Sequence, residues 1–83
     1  MGQTEAELLA RIRELNEARQ QRRDAANRGE ITRDQELADL AELAASVDQV
    51  WDLIRQRRAL REFGKDEDTA SQRSKDEVEG YWQ

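Results

Sequence analysis

Two runs of apolar residues, spaced alternately three and four apart and separated by one glycine-centred break, constrain this chain more than any other feature. Leu8, Ile12 and Leu15 make the first run; Leu37, Leu40, Ala44, Val47, Trp51 and Ile54 make the second. That rhythm keeps side chains on one face of a helix, so each run predicts a long amphipathic helix that cannot bury its own stripe. A short connection between two such helices predicts an antiparallel pair. The boundaries are marked as well. Thr4 with Glu7, and Thr32 with Gln35, have the spacing of capping boxes, and no proline interrupts either run. Gly29 and Gly64 suit the left-handed position that closes a helix. These signals predict helices over residues 5–28 and 33–63, a hairpin domain over 1–64, and an acidic tail over 65–83.

Counting outward from the break sets a register. Leu8 is expected opposite Trp51, Ile12 opposite Val47 and Leu15 opposite Ala44; Arg19 and Arg22 continue the stripe towards Leu40 and Leu37. The expected core is therefore Leu8, Ile12, Leu15, Leu40, Val47, Trp51 and Ile54, with Trp51 at its centre. Charge favours the same pairing. Residues 16–28 hold four arginines against Glu17 and Asp24, and residues 29–45 hold five acids against Arg33. Glu5 and Glu7 fall beside Arg55 and Arg58. Exposed ion pairs contribute only about 0–1 kcal/mol each, so they select a register rather than supply stability.

A chain of 83 residues buries a modest core, and small domains usually need disulfides, a metal, association or near-ideal helix packing. Cysteine and histidine are both absent, which leaves no disulfide and no ordinary zinc or haem ligand set. Association remains. One seam leaves Leu9, Leu43, Val50, Leu53 and Leu60 on flanking sides, and pairing two hairpins into a four-helix bundle would cover them. The expected fold is thus all-α: an antiparallel, coiled-coil-like two-helix hairpin pairing into a dimeric four-helix bundle, with a mostly irregular acidic C-terminal tail.

The same composition bounds function. Without histidine or cysteine the commonest general base and the thiol nucleophile are missing, and Ser46, Ser71 and Ser74 stand alone. No glycine-rich phosphate loop precedes a helix. The run Asp66-Glu67-Asp68 lacks the spacing of a calcium loop and is expected to be a solvated charge run. No enzyme activity, catalytic residue, metal site or cofactor is expected. No basic–apolar leader and no apolar stretch of about 20 residues is present, so the expected compartment is the cytoplasm, with no membrane contact.

Two features point to partners. Arg55, Arg57, Arg58 and Arg61 cluster at the end of the second helix, and the chain closes on Val78, Glu79, Gly80, Tyr81, Trp82 and Gln83. The leading expectation is a protein-interaction or adaptor role in which these arginines, with Val78, Gly80, Tyr81 and Trp82, meet an unidentified protein. One alternative is a nucleic-acid- or ribosome-associated factor using the arginine face, which a net charge of −5 does not favour. Another is a purely structural oligomer. In a further reading the acidic tail folds back onto the arginines and competes with a partner; the plainest is that arginines simply suit a helix C-terminus.

The string VDQVWDLIRQRRALREFG over residues 47–64, with EVEGYWQ at the end, resembles a small bacterial, actinobacterial-type protein family of unknown function. The resemblance implies a short cytosolic helical hairpin with an acidic tail. It falls on Asp48, Gln49, Trp51, Asp52, Leu53, Arg55, Gln56, Arg57, Arg58, Arg61, Glu62, Gly64, Val78, Glu79, Gly80 and Tyr81. This chain departs from the pattern in having no proline in its tail and in ending Trp82-Gln83 where Leu-Gln is usual.

Overall fold

The computed structural model describes residues 3–81. Its elements are α1 (Glu5–Asn27), α2 (Arg33–Glu62), a single 3-10 turn (Glu67–Thr69) and α3 (Lys75–Tyr81), in a body measuring 51 × 26 × 17 Å. Both long helices begin as their caps require. The Thr4 hydroxyl accepts the Glu7 N–H, and Thr32 and Gln35 form a reciprocal capping box. Both end in a Schellman closure. Gly29 N–H donates to the Ala26 carbonyl and Glu30 N–H to that of Ala25; Gly64 and Lys65 donate likewise to Arg61 and Leu60. The two glycines have φ of 75° and 69°, where any side chain would strain the backbone.

α1 and α2 pack as an antiparallel pair around Leu8, Ile12, Leu15, Val47, Val50 and Ile54, all buried. Ile54 has no exposed surface and Leu8 only 2%. Interhelical ion pairs fix the register: Arg58 meets Glu5 at 2.7 Å, and Arg22 meets Asp39 at 3.4 Å. The first is a pairing that the charge pattern anticipates, and the second places Arg22 two residues further along α2 than the expected Leu37. Within the buried cluster Val50, not Trp51, occupies the seam. Trp51 is half-buried and packs on the core from its flank, as do Leu9, Leu43 and Leu53. Leu40 is also half-buried and Leu37 is 60% exposed. The physical reason is that positions 50 and 51 both continue a three-and-four stripe from 47 to 54, and only the packing partners choose between them.

The C-terminal segment corrects the expectation of a mostly irregular tail. After Gly64 the chain turns back and runs along α2, touching it first through the 3-10 turn and then through α3. Val78 of α3 is 1% exposed. α2 is thus covered on two sides, by α1 and by this strap.

Candidate interaction site on α2

Gln49, Asp52 and Gln56 recur at three-and-four spacing on α2, which places them on one side of the helix, well away from Trp51. That side meets the strap. Gln49 Nε2 donates to the Arg73 carbonyl at 3.1 Å. Gln56 grips Ser71 by both backbone groups, donating to its carbonyl at 2.9 Å and accepting from its N–H at 3.4 Å. Gln56 also donates to Asp52 at 2.8 Å, and Asp52 pairs with Arg73 at 3.6 Å. Residues 70–74 between the 3-10 turn and α3 have no regular structure, so glutamine side chains satisfy backbone groups that a helix would satisfy internally.

Arg57 anchors the strap's acidic end. Only 9% exposed, it donates to the Glu67 carbonyl at 3.3 Å and to Asp68 Oδ1 at 3.1 Å, and lies 3.7 Å from the Glu67 carboxylate. Its Nε is buried and has no hydrogen-bond partner among the described residues. A buried guanidinium is held by such carboxylates because an unpaired charge there is strongly unfavourable. The run Asp66-Glu67-Asp68 stays largely solvent-exposed, as expected, and is in addition tied to α2. Asp66 caps the 3-10 turn through the Asp68 N–H, and Glu67 and Asp68 pair with α2.

The remaining arginines diverge. Arg61 reaches Glu67 at 3.5 Å and Glu5 at 4.0 Å. Arg58 turns to Glu5, stitching the start of α1 to the end of α2; its hydrogen bond holds the Glu5 carboxyl below its ordinary range and raises Arg58. The Arg28–Glu30 pair does the same in the interhelical turn. Arg55 lines a cavity of about 500 Å³ between α2 and the strap, together with Asp52, Gln56, Ala59, Leu60, Thr69, Ala70 and Arg73. Lys75 pairs with Glu42, further along α2.

The expected partner-binding residues are thus dispersed. Arg57 and Arg61 hold the strap, Arg58 holds α1, Val78 is buried, Gly80 and Tyr81 close α3, and Trp82 lies outside the described residues. Sequence reasoning passed over Gln49, Asp52 and Gln56 as functional side chains. Their signal was present as a polar row at helical spacing beside the apolar one, within the distinctive string. Among the described residues no three potential metal-ligating side chains converge, and no helix is long and apolar enough to cross a membrane.

A family model described as "Protein of unknown function (DUF2630)" matches residues 4–83. Uncharacterized proteins of Mycobacterium tuberculosis and Mycobacterium bovis are each 42% identical to this chain over 78 residues, covering 94% of it and 90% of the relative. No solved structure matches.

Proposed function

This chain belongs to the DUF2630 family of proteins of unknown function, and we propose that it is a non-enzymatic interaction protein whose partner meets α2 and the C-terminal strap. One observation carries the reading. Apart from Val78, the grip of α2 on the strap is largely polar: Gln49, Gln56 and Arg57 bond its backbone, and ion pairs join Arg57 to Glu67 and Asp68, Arg61 to Glu67, Asp52 to Arg73 and Glu42 to Lys75. Such contacts can be exchanged for those of another segment, whereas the interdigitated seam of α1 and α2 cannot. The strap is then a removable cover, and among its described residues only Val78 anchors it by full burial.

Hydrogen exchange on the whole protein tests this. Amides of residues 66–79 should exchange through local opening, at least about tenfold faster than those of the seam around Ile54. Strap amides that exchange only with global unfolding would make the strap an integral part of the core.

The nucleic-acid reading has less support, because Arg57 is buried and Arg58 and Arg61 already face carboxylates. Homodimerisation keeps a specific observation in its favour. Leu37, Leu40, Ala44 and Trp51 form a stripe on α2 that neither α1 nor the strap covers fully, and Leu37 is 60% exposed. Pairing of two hairpins along this stripe would complete a four-helix bundle. Sedimentation equilibrium should give twice the chain mass at micromolar concentration, and Leu37→Glu should shift it to the monomer. A wild-type protein that remains monomeric would remove the dimer.

A further inference from the structure

The strap fits its groove imperfectly in two places. Arg57 Nε is buried without a partner among the described residues, although the rest of its guanidinium is engaged. Elsewhere along the strap, the open pocket of about 500 Å³ has an apolar part formed by Ala59 and Leu60 of α2 and by Ala70 of the strap. The volume falls within the range of sites that hold an organic side chain or ligand. Ala70 contributes a single methyl where the space admits a much larger group.

We propose that this groove is a receptor site for an extended acidic segment of a partner protein, with a large apolar residue at the place of Ala70. In the strap's own numbering the pattern is an acid at Glu67 and Asp68, then a bulky aliphatic or aromatic residue two positions after the second acid. The strap is the resident, weaker occupant of the site. This inference rests on the reading of the strap as removable, and it names what replaces it.

Charge and chain geometry select the occupant. Arg57 and Arg61 already receive two carboxylates, so an acidic segment meets a complementary groove. Gln49 and Gln56 read backbone rather than side chains, so they accept any extended segment in that register. The strap is tethered to α2 through Phe63, Gly64 and Lys65, and a tether this short gives an effective concentration on the order of millimolar. A second copy's identical strap cannot compete with that. A segment that also fills the cavity narrows that gap, and loosening the resident strap narrows it further.

The test uses the full-length protein and fluorescent peptides matching residues 65–83, one native and one carrying Ala70→Leu. The substituted peptide is expected to bind about tenfold or more tightly than the native one, from added apolar burial. Asp68→Lys in the protein, which loosens its own strap, should strengthen binding of both peptides by a similar factor. Arg57→Gln combined with Gln56→Ala should abolish it, with circular dichroism confirming that the hairpin persists.

Equal binding of the two peptides would overturn the cavity's role. Equal binding of a scrambled peptide of the same charge would overturn the groove as a specific site. No binding of either peptide to the Asp68→Lys protein would overturn the receptor proposal as a whole. Hydrogen exchange separates the two levels: a strap that opens locally while both peptides fail sinks this inference alone, whereas a strap that never opens sinks the proposed function first.

Discussion

Ile54→Ala should lower the unfolding free energy by about 2–5 kcal/mol, the range for removing a fully buried aliphatic side chain and leaving a cavity. Ile54 has no exposed surface and lies in the cluster that holds both long helices. In a small domain with a total stability of about 5–15 kcal/mol, that is a large fraction. Trp51→Ala removes more atoms yet should be less damaging, because Trp51 is half-buried on the flank of the seam. Urea denaturation of the two variants measures both. A larger loss for Trp51→Ala in the monomeric protein would restore the tryptophan to the centre of the core and refute the observed register.

The second large effect concerns the strap. Val78→Asp places a carboxylate where the wild-type side chain is 1% exposed, and burying an unpaired charge costs several kcal/mol or more. The seven-residue α3 is too short to persist as an isolated helix. The segment is therefore expected to detach rather than bury the charge. Amide protection across residues 66–79 should vanish, with a small drop in helicity, while cooperative unfolding of α1 and α2 survives. Loss of that cooperative transition would show that α2 needs the strap in order to fold. A deletion of residues 78–83 removes the same anchor, so it tests docking of the strap as well as recognition of a partner.

These two variants mark the limit of what the chain's local patterns reveal. The helix starts at Thr4 and Thr32 and the closures at Gly29 and Gly64 were legible because capping is a short-range matter of a few side chains and one backbone sign. The antiparallel pairing was legible for the same reason, since a short turn leaves the helices no other arrangement. The seam's exact course was not. Val50 and Trp51 are adjacent on α2, and a stripe about 100° wide accommodates either one.

The strap was less legible still. Residues 65–77 show no apolar period, and the deeply buried Val78 that follows them stands next to acids. What fixes the segment is long-range: Arg57 reaching Glu67 and Asp68, and Gln56 reaching Ser71. No spacing rule within a short window announces such pairs. The resemblance string did mark the α2 side of these contacts, since Gln49, Asp52, Gln56 and Arg57 all lie in it. It marked them without saying what they hold.

The two apolar runs thus determined by themselves that the chain makes two long helices joined antiparallel, because helical periodicity and capping act through near neighbours. Tertiary structure alone decided that Val50 rather than Trp51 lies at the seam's centre, and that the acidic segment returns to cover Arg57. Both outcomes depend on burying α2 from two sides at once, and that requirement exists only when distant parts of the chain meet.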